Sequence, residues 1–293
     1  MKFLRDARWM LITSMTIFGT LGLFVRNIPV SSGELALYRA ITAGSLIGFF
    51  LLVTGKRISF GKIKRELPLL LLSGVAMGIN WILLFEAYKN TTVSVATLSY
   101  YFAPVIVIIV CPILFKEKLT GKQLLCFLMS TLGLVLVTVF SQNSEESREQ
   151  NHLLGILFGL GAACFYATVI LMNKFIRNVE GIDRTFLQFL AAIVVLVPYV
   201  LLTDGITLGD MDGIGWVNLL VVGIVHTGVT YCLYFSSLKE LPGQRAAILS
   251  YIDPLVAVIL SVTVLGEQMN VWQILGGALI LGFTLWNELP SKK

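Results

Sequence analysis

Residues Ala87 to Lys118 read AYKNTTVSVATLSYYFAPVIVIIVCPILFKEK, and the stretch returns 150 residues later, without a gap, as SLKELPGQRAAILSYIDPLVAVILSVTVLGEQ from Ser237 to Gln268. Lys89 recurs as Lys239, Tyr101 as Tyr251, Pro104 as Pro254 and Glu117 as Glu267. At the same offset Gly78, Phe85 and Gln123 recur as Gly228, Phe235 and Gln273. Apolar helices resemble one another through Leu and Val alone, so the shared Lys, Tyr, Pro and Glu carry the comparison. The chain is an internal duplication. In an apolar chain, a duplication of this kind is a pointer to transport.

Composition sets the surroundings. The chain is 56% hydrophobic and only 13% charged, with 26 glycines, and its mean hydropathy is +0.84. The apolar residues fall in runs of about 18 to 25, each closed by a charged or turn-rich stretch, as membrane spans do. The net charge of +5 sits in short loops between these runs, where anionic lipid headgroups are its natural partner and nucleic acid is not. Cys111, Cys126, Cys164 and Cys232 stand singly inside apolar runs. They read as small core residues, with no disulfide, metal site or cofactor implied. The N-terminal MKFLRDAR with its apolar run lacks a small-x-small cleavage site and reads as a first span.

An all-α integral membrane fold with ten transmembrane helices is expected, over 9–26, 34–53, 67–88, 94–115, 120–140, 153–173, 184–203, 214–236, 244–265 and 270–288. The polar stretch 141–152 (SQNSEESREQNH) divides a first five-span repeat, 1–140, from a second, 153–293. Lys and Arg give the orientation. Lys2, Arg5, Arg8, then Lys56, Arg57, Lys62, Lys64, Arg65, then Lys116, Lys118, Lys122 all fall on one side. Lys174, Arg177, Arg184, Lys239, Arg245, Lys292 and Lys293 fall there too. The other side holds Arg26, Lys89 and Arg148, with acids such as Glu145, Glu146, Asp204, Asp210 and Asp212. The positive side is cytoplasmic, so both termini are cytoplasmic and the linker is extracytoplasmic. Five spans per half is odd, which turns the second half upside down. The turn KEKLTGK (116–122) accordingly has lost its lysines in its repeat, GEQMNVW (266–272), and kept its glutamate.

Tyr-x-x-Pro and a terminal Gly-Glu, set in ten spans arranged as two inverted fives, resemble the drug/metabolite transporter superfamily in its EamA-type branch. YIDPLVAVILSVTVLGEQ (251–268) is similar to that branch's usual ninth span, and YYFAPVIVIIVCPILFKEK (100–118) is a looser copy. The resemblance covers nearly the whole chain. It implies a central cavity lined from both halves and alternating access without ATP, in a branch whose members export amino acids and other small metabolites. The chain itself carries no GxxxxGK[ST] loop.

Ionisable groups in mid-membrane cost roughly 2.5 to 3.5 kcal/mol each, so each one present needs a reason. Asp253, eight residues past Arg245, lies about 12 Å into the ninth span at 1.5 Å per residue. It could exchange a proton, meet a cationic substrate group, or satisfy backbone groups at a helix break; its repeat mate is Ala103. His226, near the middle of the eighth span, could bind substrate, titrate near neutral pH, or tie two helices. Asn80 is a substrate hydrogen-bonding group or an interhelical tie. Trp81, Tyr100, Tyr101, Tyr166, Tyr231 and Tyr251 lie away from the interfaces and suit a cavity for a small amphipathic solute or an organic cation. Pro104 and Pro254 break their helices beside Tyr101 and Tyr251 and are gate candidates. Arg39 either snorkels to the outer surface or serves as an outer gate or carboxylate site. Glu86 and Lys89 are spaced to pair, Glu34 and Arg39 are not, and Glu117 and Glu267 read as capping loops or holding the bundle rather than touching substrate. GxxxG pairs at Gly44/Gly48, Gly74/Gly78 and Gly155/Gly159 read as packing within the bundle.

These features point to a secondary transporter exporting an amino acid or related solute, with Asp253 or His226 as the proton-coupling group. Uptake or facilitated passage of an amine, and a non-transport scaffold, are the alternatives. An intramembrane enzyme is disfavoured by the absence of HExxH, GxSxG or a paired intramembrane Asp, and a channel by the lack of a polar stripe on any span. The partners expected are a small-molecule substrate and lipids; the oligomeric state is left open, a monomer included.

Overall fold

The structure is a computed structural model that describes residues 6–55, 63–115, 120–141, 151–176, 178–179, 181–203, 205–241 and 249–289. Within these the chain is helical. A helix satisfies its backbone polar groups internally, which lipid demands. The first half contains α1 (Ala7–Gly19), α2 (Leu21–Val25), α3 (Ser32–Val53), α4 (Leu67–Asn90), α5 (Val93–Tyr100), α6 (Ala103–Phe115) and α7 (Gly121–Ser141). The second contains α8 (His152–Phe175), α9 (Gly181–Leu202), α10 (Gly213–Leu220), a π-helix (Val221–Val229), α11 (Thr230–Glu240), α12 (Ile252–Thr263) and α13 (Val271–Glu288).

Polar side chains stand where helices start and take up amides that lack an intrahelical acceptor. Ser31 Oγ accepts from the Glu34 N–H at 3.1 Å, and Asp212 Oδ1 from the Gly215 N–H at 2.7 Å. Asn270 and Gln273 form a reciprocal capping box at 2.8 and 2.9 Å.

Six helical segments are long and apolar enough to cross a membrane: Ala7–Val25, Ser32–Val53, Leu67–Asn90, Val93–Val110, His152–Phe175 and Gly181–Leu202. Four shorter apolar helices, Gly121–Val137, Gly213–Val229, Ile252–Thr263 and Val271–Asn287, correspond to the remaining expected segments. Expected spans prove to be interrupted, the ninth among them, with a turn at Tyr251 before α12. The first breaks at Thr20 between α1 and α2, and the fourth at Tyr101–Phe102 between α5 and α6. The eighth carries the π-helix, where the hydroxyls of Thr227 within it and of Thr230 just after it donate to the carbonyls five residues back, at 2.8 and 2.7 Å. Residues 142–150 of the linker lie outside the described residues. So do Glu117 and, of the topology-setting basic residues, Lys2, Arg5, Lys56, Arg57, Lys62, Lys116, Lys118, Arg148, Arg177, Arg245, Lys292 and Lys293, as well as the acids Glu145, Glu146 and Asp204.

The contacts carry the duplication into three dimensions. α4 packs on α8 as α11 packs on α1; α9 packs on α4 as α3 packs on the π-helix; α5 and α6 pack on α8 as α12 packs on α1. Each contact has a counterpart obtained by exchanging the halves. The exchanged elements also run in opposite directions. At the α7–α13 contact, Lys122 Nζ donates to the Asn287 carbonyl at 3.2 Å, and Phe140 stacks on Trp272 at 5.0 Å. Early residues of one helix therefore meet late residues of its repeat mate. Close helix approach rests on glycine, as the GxxxG spacing suggests: a Cβ on Gly155 would lie 2.6 Å from the Thr91 side chain, and one on Gly159 2.8 Å from that of Ser99. These contacts are within the bundle.

Candidate functional site

Between the halves lies a cavity of about 1470 Å³. Its mouth is at the end where Gln123, Lys174, Asp183, Arg184 and Asn287 stand, the start of α7 and α9 and the end of α8 and α13. From there it runs past the helix break of the fourth span to Arg39, Tyr88 and Thr97. Trp81, Tyr100, Tyr101, Tyr166, Tyr231 and Tyr251 all line it.

The aromatics are organised by the duplication. Trp81 and Tyr231 are equivalent at the 150-residue offset, and both rest on Phe189, at 5.4 and 5.5 Å between ring centroids. Tyr100 packs against Tyr101 at 5.8 Å and Tyr166 at 5.4 Å. Both repeats thus supply aromatic rings to the cavity, and the Trp81–Tyr231 match in the sequence already held that signal.

At the helix break, Tyr101 donates its hydroxyl proton to Asp253 Oδ2 at 2.6 Å. Tyr101 caps the end of α5, and Asp253 stands in the first turn of α12, next to Tyr251 at that helix's N-cap. A carboxylate there gains from the helix dipole. The acid of the second half is therefore held by the first-half tyrosine of the repeated motif. Span one closes over this point, since a Cβ on Gly19 would lie 2.6 Å from the Asp253 carbonyl oxygen.

Arg39 departs from the snorkelling expectation. It is 4% exposed and turns inward to the deep end of the cavity. Its guanidinium lies 4.9 Å from the centroid of Trp81 and 5.8 Å from that of Phe85. Nε donates to Thr227 Oγ1 at 3.2 Å across the halves. Helix direction explains the difference: the face of α3 that carries Arg39 also carries Thr42 and Leu46, which meet Gly223 and Gly228 of the π-helix, so the side chain has protein, not lipid, beside it. Among the described residues the one ion pair is Arg26–Glu267, and no carboxylate pairs with Arg39. A buried guanidinium laid on aromatic faces, with no carboxylate in contact, suits a carboxylate or other planar anion.

Two candidates fall in structural positions. His226, 1% exposed, is not among the residues that line the cavity. Its Nε2 meets Thr20 Oγ1 at 2.7 Å, its Nδ1 the Val221 carbonyl at 3.3 Å, and its ring the edge of Phe24 at 4.9 Å. It ties span eight to the break in span one. Asn80 lines the cavity but commits its amide to the Ala162 carbonyl at 2.7 Å, the interhelical alternative. Pro104 lines the cavity, whereas Pro254, 150 residues on, is buried and does not. Tyr88, Thr97, Tyr234 and Gln188 also line it; none has a repeat-matched partner of its own type, so nothing in the sequence set them apart.

At the opposite end from the mouth, Glu34 accepts from Tyr38 and from the amide and hydroxyl of Thr207, at 3.1, 2.9 and 2.6 Å. Lys89 donates to the Val30 carbonyl at 2.7 Å, and Asn90 to the Glu86 carbonyl at 2.8 Å. Cys126 is buried and Cys164 exposed, both as free thiols. Among the described residues no group of His, Cys, Asp and Glu could hold a metal.

Two antiparallel-related halves of apolar helices, closed around one polar-tipped aromatic cavity, are the build of a multi-pass membrane transporter. The chain belongs to the EamA-like transporter family, which matches residues 7–139 and again 153–287. It is 30% identical over 270 residues to an uncharacterized transporter, YxxF, of Bacillus subtilis (strain 168), covering 92% of this chain and 85% of that one. An uncharacterized transporter of Archaeoglobus fulgidus is 28% identical over 282 residues, covering 95% of each. A solved crystal structure at 16% identity covers 95% of both chains with a TM-score of 0.66, which bears on the fold alone.

Proposed function

We propose that this chain crosses the cell membrane ten times with both termini cytoplasmic, and exports a small amphipathic solute that carries a carboxylate. An amino acid or close relative fits best. The observation that carries this reading is the buried Arg39 at the deep end of the aromatic cavity, with no carboxylate in ion-pair contact among the described residues, in a space that Asp253 on Tyr101 also lines. Arg39 takes the carboxylate, the aromatic walls take the apolar body, and Asp253 takes an ammonium group or a proton. The mouth lies at the Lys- and Arg-rich ends of the helices, which the positive-inside rule makes cytoplasmic, so the cavity is loaded from inside. Of the two proton-coupling candidates Asp253 is preferred, since it lines the cavity and His226 does not.

A thermal-shift screen of the purified protein against amino acids, other carboxylates, amines and sugars identifies the solute, since a ligand stabilises the state it binds. Carboxylate-bearing amphipaths are expected to raise the unfolding temperature in the native protein and not in Arg39→Met. Stabilisation by simple amines, unaffected by Arg39→Met and abolished by Asp253→Asn, would replace this reading with cation transport.

A further inference from the structure

The end of the bundle away from the cavity mouth is held by a group that no part of the cavity uses. α12 ends at Thr263, and Gly266 follows with φ +68°, the left-handed conformation a glycine adopts without cost. The Glu267 N–H reaches back six residues to the Ser261 carbonyl at 3.0 Å, closing the chain over the end of the helix. This turn swings the Glu267 side chain into the bundle, where it is 6% exposed. The carboxylate there accepts from the Val93 N–H at 2.7 Å and from the Ser94 N–H and hydroxyl at 3.2 and 3.0 Å. These are the first amides of α5, so the charge also meets the positive end of that helix. Arg26 completes the cluster: Nη1 lies 3.1 Å from Glu267 Oε1, and Nη2 donates to the Thr91 carbonyl at 2.7 Å.

The terminal Gly-Glu therefore does more than end a helix. Glu267 belongs to the second half; Arg26, Thr91, Val93 and Ser94 belong to the first. Four interactions join the halves on the side where the cavity is shut, and the described residues hold no other ion pair. Opening the cavity to that side requires the halves to part there, which strips a buried carboxylate of its amides and its guanidinium. That is costly when uncompensated. We infer that the Arg26–Glu267–α5 cluster is the latch that holds this transporter shut on the side away from its cavity mouth, and that its strength sets how often that side opens. The inference rests on the alternating-access reading above.

The test uses the full-length chain with its four cysteines replaced by alanine and a single cysteine put at Ala103, which lines the cavity at the helix break. A membrane-impermeant maleimide is added to sealed vesicles of either orientation. With the latch intact, labelling is fast from the mouth side and slow from the latch side. Glu267→Gln and, separately, Arg26→Gln are expected to raise the latch-side rate by about tenfold or more, because the population of the minor state follows its free energy. Size-exclusion elution and unfolding temperature report whether each variant folds. As a converse, cysteines replacing Arg26 and Glu267 remove the native latch and should raise latch-side labelling of Ala103→Cys; joining them with a short cleavable bifunctional thiol reagent should abolish it, and cleavage of the cross-link should restore it. Latch-side rates unchanged in both glutamine variants, with measurable labelling in the parent, overturn the latch while leaving alternating access standing. No latch-side labelling in the parent or any variant overturns both.

Discussion

Arg39 is the residue on which the proposed chemistry turns. Its guanidinium is fixed by Thr227 on one edge and by two aromatic faces, so its orientation is set before a solute arrives. Arg39→Lys keeps the charge but loses the planar fork. It is expected to weaken half-saturation about tenfold for the solute found in the screen, read as flux into proteoliposomes. Thr227→Val should have a smaller effect in the same direction, and Thr227→Ser should restore the native value. Asp253→Asn separates binding from coupling: solute exchange should persist while uptake driven by a pH gradient falls to the level without a gradient. Gradient-driven flux that survives Asp253→Asn would remove Asp253 from the coupling role. Of these residues, Asp253, Tyr101 and Tyr251 were legible in the sequence because repetition and cost single them out. The inward turn of Arg39 was not, since one residue count from a span end gives depth but not which neighbour the side chain faces.

At the scale of elements, the interrupted helices do the positioning. The breaks at Thr20 and at Tyr101–Phe102 and the start of α12 at Ile252 meet at the cavity's middle, and glycines let the segments approach. Gly19→Val would drive a side chain into the Asp253 carbonyl and Val256. A loss of roughly 1 to 3 kcal/mol is expected, as for overpacking elsewhere, seen as a lower unfolding temperature in detergent. Gly282, which has nothing within 4 Å of an added Cβ, supplies the control: Gly282→Ala should leave the unfolding temperature unchanged or raise it slightly. The Tyr-x-x-Pro spacing pointed to two of these breaks. The π-helix and the break at Thr20 gave no such sign, because neither involves proline and both are held by contacts with distant segments, His226 with Thr20 above all.

The whole molecule is two halves whose equivalent helices run in opposite directions and whose contacts exchange in pairs. A fluorescent protein that matures only in the cytoplasm, fused after Lys293, should fluoresce. A cysteine placed at Ser144 in the linker should react with an impermeant maleimide added to intact cells. The opposite pair of results would reverse the orientation, and with it the direction of loading, without touching the fold.

By itself the sequence determined the membrane environment, the duplication, its inversion and the family, because all of these follow from composition, parity and repeats that need no coordinates. It also marked Asp253 and the repeated tyrosines. Only the tertiary structure decided which polar residues share the cavity. His226 and Asp253 are both ionisable groups within expected spans, yet packing puts one into a tie with Thr20 and the other beside Tyr101 at the cavity. Arg39 and Arg26 both lie toward the ends of their spans away from the cavity mouth, yet one faces the cavity and the other clasps Glu267. The reason is geometric: depth along a helix is set by residue number, whereas the face a side chain shows depends on the neighbours the bundle brings to it.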